Sequence, residues 1–368
     1  MRISEMIPDV IYVVGARPNF IKLAPLIKSI KGEVDFKIVH TGQHYDYEMN
    51  ELFFRELDLP DPDYHLGVGS GSHGYQTGEM LIRIERVLEE ERPKLVIVLG
   101  DTNTTLAGAL AAVKLKIDVG HVEAGVRSHE RFMPEEINRV LVDHMSSLLF
   151  APTQRAVANL QSEGIRENIF LVGDVMFDSF LIYHDIAKRY YNIMEELGLK
   201  PKDYLLLTVH RAENTDSKER LSNILEAVSG SPWEVIFPAH PRTIAAMKRF
   251  SLIERIERAG NIRIIKPLGY LEMLVLEENA KKILTDSGGV QKEAYFLRVP
   301  CITLRERTEW METVEEGWNV LVGADKSRIS NAIVNFDGSE RYNQYIFGNG
   351  GASDRITSII KDFLRFKD

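Results

Sequence analysis

The chain has a single cysteine, Cys301, among 368 residues. One thiol cannot close an internal disulfide, so the fold must rest on its core, and the expected compartment is the reducing cytoplasm. Cys301 lies in an apolar segment and reads as a core residue. Long apolar runs are also missing, and none approaches the roughly 20 residues of a membrane span. Met1 to Gly15 carry Glu5 and Asp9 and show neither the basic end nor the small-residue cleavage site of a secretory signal. No membrane partner is expected. A positive balance is missing: 54 acidic residues outnumber 45 Lys and Arg, for a formal net charge of −9. Non-specific nucleic-acid binding needs broad positive potential, so nucleic acid is not expected as a partner, and any bound anion must be held by local basic residues. Neither an H-E-x-x-H spacing nor a G-x-S-x-G elbow occurs. His40, His44, His121, Asp101 and Glu123 are available as metal ligands but lack a dense spacing, so no metal and no serine nucleophile is expected.

What is present is a globular composition, with 44% hydrophobic and 27% charged residues. The length suggests two or three domains. Runs rich in Val, Ile and Leu alternate with amphipathic helical stretches. The expected strands of the first half are 10–14, 36–40, 95–99, 119–122, 148–151 and 169–172. Those of the second are 204–209, 234–238, 262–265, 282–285, 301–304 and 320–322. Apolar strands separated by helices mean parallel sheets covered on both faces. The pattern pauses once, in a charged helical stretch from Asp178 to Lys202. The expected fold is therefore α/β, with two doubly wound Rossmann-like domains, 1–177 and 178–368, facing a cleft. The last helix, 352–366, is a candidate to cross back to the first domain. Gly69-Ser70-Gly71-Ser72-His73-Gly74 matches G-x-G-x-x-G but is expected to lack the preceding strand, so it reads as a loop before a helix at 75–91.

Polar residues gather where the expected strands end. Arg17 and Lys22 follow the first strand, Gln43 the second, Asp101 the third and Glu123 the fourth. His210 and Arg211 follow one strand of the second half, and His240 another. Each alone could be a satisfied turn or cap; so many at one edge are better explained by a site. Pro134 suits a first helical position. Beyond it Glu135, Asn138 and Arg139 share one helix face by their spacing. Ile137, Val140, Leu141 and His144 are expected to pack, and Glu136 to be solvated. A surface helix with a Glu–Arg pair is the plainer alternative.

Thr285-Asp286-Ser287-Gly288-Gly289 lies between an expected strand and an expected helix. Ser287 can cap that helix, and Gly288 and Gly289 let an anion approach its free N–H groups. Glu293, more than a turn further, can accept from the two hydroxyls of a ribose. An ordinary capped turn is the plainer alternative here too. Asp101, Glu123 and Glu135 form an expected carboxylate set whose members raise one another's proton affinity, suited to acid–base work at carbon. Arg17, Lys22, Arg139 and His210 are the expected cations, suited to a diphosphate leaving group.

The motifs Gly15-Ala16-Arg17-Pro18, Thr41-Gly42-Gln43-His44, Gly100-Asp101-Thr102, His121-Val122-Glu123-Ala124-Gly125, Pro134-Glu135-Glu136-Ile137-Asn138-Arg139, His210-Arg211-Ala212-Glu213-Asn214 and Thr285-Asp286-Ser287-Gly288-Gly289 occur in this order. Together they resemble the UDP-N-acetylglucosamine 2-epimerases of the non-hydrolysing type. The resemblance implies a GT-B-like fold, a UDP-sugar substrate, no cofactor and a homodimer. It implies reversible inversion at C2 by loss and return of UDP through a bound 2-acetamidoglucal. Asp101, Glu123, Glu135 and His210 then match catalytic positions. Arg17, Lys22, Arg139, Ser287, Gly288, Gly289 and Glu293 match substrate-binding ones. Gln43, Arg211 and His240 match an activator site used by some members, where Tyr45, Asp46 and Tyr47 look different. Asn19 replaces a usual Glu, Asp174 a usual Asn, and Thr308-Glu309-Trp310-Met311-Glu312 a usual Thr-Glu-Arg-Pro-Glu. A hydrolysing 2-epimerase that releases UDP and N-acetylmannosamine, and an inactive nucleotide-sugar-binding protein, are the alternatives.

Overall fold

The computed structural model describes residues 8–43 and 54–367. One compact unit runs to Ile182 and resumes at Tyr345; the other is Tyr183–Gln344. The first unit holds strands β1 (Val10–Val14), β2 (Phe36–His40), β3 (Tyr64–His65), β4 (Leu95–Leu99), β5 (Asp118–Val122), β6 (Leu148–Ala151) and β7 (Ile169–Leu171). The second holds β8 (Tyr204–Thr208), β9 (Glu234–Pro238), β10 (Ile262–Ile265), β11 (Lys282–Thr285), β12 (Cys301–Thr303) and β13 (Asn319–Leu321). The sheet orders are β3-β2-β1-β4-β5-β6-β7 and β10-β9-β8-β11-β12-β13. Every pairing is parallel. Both units are doubly wound α/β sheets.

The central strands β1, β4 and β8 are buried at every residue, which is why they read as unbroken apolar runs rather than alternations. Helix Asn103–Lys114 lies close against β1 and β4. A Cβ on Gly108 would stand 3.0 Å from Val98 Cγ1 and 3.1 Å from Val13 Cγ1, so a side chain there would push the helix off the sheet. Cys301 is a core residue, and burial pushes its thiol up to about 12.

One expectation fails. A strand does precede the Gly69–Gly74 stretch: β3, which pairs Tyr64 with Val39 and His65 with His40. It is only two residues long, too short to show a period. The helix that follows begins at His73, capped by Ser72, so Gly74 lies inside the helix and not in a turn. The expected domain division at 177/178 falls within helix Val175–Tyr190.

Helix Ala352–Arg365 belongs to the first unit and packs on helix Arg17–Ile30. Ser29 Oγ donates to Asp354 at 2.7 Å. Gly351 precedes the helix in the left-handed region and has no side chain with which to cap it. Asp178 does so instead, accepting from Ala352 N at 3.2 Å, Ser353 N at 2.7 Å and Ser353 Oγ at 2.8 Å. Asp178→Ala would leave two buried N–H groups without an acceptor. It is expected to lower the unfolding free energy by about 2 kcal/mol. A urea midpoint equal to that of the unchanged protein would show that the helix is held without it.

Candidate active site

The strand orders reverse direction in sequence between β1 and β4 in the first unit, and between β8 and β11 in the second. Ligands of open parallel sheets bind beyond the carboxyl ends of the strands at such points. Arg17, Lys22 and Asp101 follow the first pair; His210, Arg211 and the Ser287-Gly288-Gly289 turn follow the second.

In the first unit, Asn19 closes the reversal point. Its Oδ1 accepts from Gly15 N at 3.2 Å and Ala16 N at 3.1 Å, and its Nδ2 donates to Leu99 O at 2.9 Å. The helix that starts at Arg17 then carries Lys22 inward. Lys22 Nζ lies 2.8 Å from Glu123 Oε1, and both side chains are nearly buried. Glu123 sits at φ +75°. A left-handed conformation costs a non-glycine residue roughly 1–2 kcal/mol, and such strain collects at functional positions. Asp101 pairs with Arg139, whose neighbour Asn138 donates to Asp101 O at 2.9 Å. Asp101 and Glu123 thus each rest on a buried cation. Glu135 is half-buried in the first turn of helix Pro134–Met145, and Arg17 is half-buried at the start of its own helix.

Helix Pro134–Met145 is turned differently from expectation. Ile137 and Leu141 are each 46% exposed, whereas Glu136 is buried. The reason is polar. Glu136 accepts from Ser128 N at 2.9 Å, Ser128 Oγ at 3.0 Å and His129 N at 2.8 Å, and pairs with Arg139 at 3.1 Å. Burial pulls its carboxyl up, but these donors and Arg139 outweigh that and hold it below the ordinary range. Two turns further on the same side, Asp143 is buried with His121 and Arg127. Burial again opposes ionisation, but the contacts with His121 and Arg127 outweigh it and hold the carboxyl below the ordinary range. Apolar periodicity carries no trace of a helix face anchored by charge, so the sequence reading missed Glu136 and Asp143.

In the second unit, Asp286 organises the site and was not singled out from the sequence. It is fully buried. It accepts from His210 N at 3.1 Å, Arg211 N at 3.0 Å and Asn214 Nδ2 at 3.0 Å. The turn after β8 is thereby fastened to the turn after β11. Its only sequence signal was its place before Ser287. The imidazole of His210 stays well exposed, with Nδ1 3.4 Å from Asp286 Oδ1. Ser287 caps helix Gly288–Phe296 by accepting from Val290 N at 3.5 Å. A Cβ on Gly288 would stand 2.3 Å from Glu309 Oε1 and 3.2 Å from Trp310 Nε1, so a side chain there would push the Glu309 carboxylate from its place against Arg305. Gly289 is half-buried beside it, and Glu293 is buried one turn on. Trp310 places its ring 3.9 Å from Lys292 Nζ. Free N–H groups and a small residue at a helix start can receive an anion.

Among the candidate activator residues, Gln43 accepts from Thr104 Oγ1 at 2.8 Å in the first unit. Arg211 and the exposed His240 lie in the second, where His240 stands 6.2 Å from His210 between ring centres. Tyr45, Asp46, Tyr47 and His44 lie outside the described residues. The remaining candidate metal ligands are not gathered together. His121 is engaged by Asp143 and Gly100 O. His40 stacks on Phe20, and burial, with His65 beside it, pushes its imidazole down to about 4.

A profile of the family described as UDP-N-acetylglucosamine 2-epimerase matches residues 28–361. A Methanococcus maripaludis protein named UDP-N-acetylglucosamine 2-epimerase homolog is 56% identical over 355 residues, covering 96% of this chain and 99% of that protein. The crystal structure of Methanocaldococcus jannaschii UDP-GlcNAc 2-epimerase, in complex with UDP-GlcNAc and UDP, is 52% identical, with a TM-score of 0.92 over 96% of this chain and 99% of that one. A Pseudomonas aeruginosa protein named UDP-2,3-diacetamido-2,3-dideoxy-D-glucuronate 2-epimerase is 44% identical over 361 residues, covering 95% of this chain and 99% of that protein.

A carboxyl whose pKa is lower in the folded than in the unfolded state adds stability above its unfolded value, and loses it as pH falls through the folded one. For Glu136 that loss begins near the ordinary value of 4.5. Glu136→Gln is expected to start from a lower melting temperature at neutral pH. It should then lose less than the unchanged protein between about pH 5 and pH 3. Parallel melting curves across that range would show that Glu136 is not held ionised.

Proposed function

The chain belongs to the UDP-N-acetylglucosamine 2-epimerase family, and on that premise we propose that it inverts C2 of UDP-N-acetylglucosamine to give UDP-N-acetylmannosamine, reversibly. A carboxylate takes the C2 proton, the C1–O bond to UDP breaks, and the electron pair of the C–H bond becomes the C1–C2 double bond. UDP then adds back at C1 as a proton returns to the opposite face of C2. No net oxidation occurs, so no redox cofactor is called for.

Asp101, Glu123 and Glu135 exchange the proton, and Lys22 and Arg139 hold two of these carboxylates and the sugar side of the substrate. His210, Arg17 and the Ser287-Gly288-Gly289 turn receive the diphosphate, and Glu293 the ribose. Gln43, Arg211 and His240 form the candidate activator contacts. The observation that carries this reading is the pair of reversal points: charge-paired carboxylates at β1–β4, and an anion-receiving helix start at β8–β11. The 52% identical neighbour holding UDP-GlcNAc and UDP supports the substrate. A cytoplasmic homodimer belongs to the same proposal and rests on the family resemblance and the lone buried thiol. The 44% identical Pseudomonas relative supports a second reading, in which the sugar is a diacetamido-uronate.

Incubation with UDP-N-acetylglucosamine in heavy water tests the reaction. Loss of the C2 proton signal with growth of UDP-N-acetylmannosamine is expected. Free N-acetylmannosamine with UDP would establish the hydrolysing alternative, and turnover of the diacetamido-uronate alone would establish the second sugar. Glu135→Gln is expected to reduce turnover about 100-fold or more while UDP still binds; full activity would remove Glu135 from the chemistry. Gly289→Asp is expected to weaken UDP binding at least about tenfold by setting a carboxylate where the diphosphate docks. Unchanged affinity, read by calorimetry, would refute that placement.

A further inference from the structure

The three carboxylates lie on separate segments: Asp101 after β4, Glu123 after β5, and Glu135 on helix Pro134–Met145. A buried connection links all three segments. His121, on β5 two residues before Glu123, brings Nε2 to 2.8 Å from Gly100 O and Nδ1 to 2.6 Å from Asp143 Oδ1. Asp143, on the helix that carries Glu135, also accepts from Gly125 N at 3.0 Å and from Arg127 at 2.7 Å. Neither side chain has measurable exposure.

A carbonyl oxygen only accepts, so Nε2 carries a hydrogen. Asp143 already receives Gly125 N and Arg127, so it acts as a carboxylate, and Nδ1 carries a hydrogen as well. The charges close: His121 and Arg127 stand against Asp143 and Glu163, the last lying 2.7 Å from Arg127. An isolated buried charge would be expensive, whereas this set is paired throughout. The neighbouring Lys22–Glu123 pair is sensitive to the same turn. The Cβ position of Gly100 lies 2.9 Å from Lys22 Nζ and 4.0 Å from Glu123 Oε1.

We infer that His121 and Asp143 are positioning residues, with His121 an imidazolium that clamps the Gly100 carbonyl and Asp143 the link that fixes the β5 turn to the helix bearing Glu135. The inference rests on the proposed 2-epimerase reading. Neither residue touches the reacting atoms; both set where Asp101, Glu123 and Glu135 stand. Displacement of a catalytic group by about 1 Å can cost about 100-fold in rate. The loss should fall on kcat rather than on KM, because His121 and Asp143 position the carboxylates and not the groups proposed to hold the diphosphate and ribose.

Two substitutions separate this role from simple packing. In His121→Gln the side-chain amide nitrogen reaches the place of Nε2 and can still donate to Gly100 O. In His121→Asn it reaches only the place of Nδ1. The Gln variant is expected to lose less than about tenfold in kcat and the Asn variant about 100-fold, with KM within about threefold in both. Equal losses, or losses confined to KM, would overturn the clamp. Nitrogen-15 NMR of the unmodified protein with labelled histidine is the second arm, with His121 assigned by its absence from the spectra of the variants. Two protected ring N–H signals are expected at about pH 7, one for each of the two ring-nitrogen contacts. A single ring N–H at about pH 7 would overturn the imidazolium assignment. This arm decides the charge state even if the unmodified protein fails to epimerise UDP-N-acetylglucosamine, a result that would instead remove the functional reading.

Discussion

Parallel pairing is the constraint on which the molecule depends. It sends the carboxyl end of every strand to one edge of its sheet, and every following helix starts there. Polar residues at those ends meet without long loops. Where the strand order reverses, neighbouring connections leave on opposite faces and a gap opens between them. Asn19 spans that gap in the first unit and Asp286 does so in the second. Each uses one short side chain to fasten two turns that are far apart in sequence.

Charge burial is the second theme. Arg139 is nearly out of solvent and lies between Asp101 and Glu136. Lys22 lies on Glu123, and Arg127 lies between Asp143 and Glu163. Breaking such a pair leaves an uncompensated charge, at a cost of about 3–5 kcal/mol. That penalty contributes little net stability over an apolar core, but it fixes geometry, because each partner tolerates few positions. The proposed return of a proton to a chosen face of carbon needs fixed carboxylates more than it needs extra stability.

The sheets were legible because buried parallel strands are written as apolar runs, and all the expected strands fall on observed ones. Among the described residues only β3 escaped, being too short for any period. At the ends of the strands, polar residues read from the sequence meet in two ion pairs, Lys22 with Glu123 and Arg139 with Asp101. The orientation of helix Pro134–Met145 was not legible. A reading by hydrophobicity buries Ile137 and Leu141 and exposes Glu136, and the structure does the reverse. The donors that hold Glu136 come from Ser128 and His129, on a loop whose course no local pattern records.

The departures from the family pattern then take on a specific meaning. Asn19 replaces a Glu, yet its amide both accepts from two N–H groups and donates to Leu99 O. A carboxylate could accept but could not donate to that carbonyl. Trp310 replaces an Arg, yet it is buried, with its indole nitrogen facing Gly288 and its ring over Lys292. Its contribution near the anion-receiving turn is shape and a cation–π contact in place of a mobile charge. Both changes fall on residues that brace a turn, not on the groups proposed to exchange the proton or hold the diphosphate. Differences in sugar preference within the family are then to be sought first where the bracing has changed, around the turn that Trp310 closes.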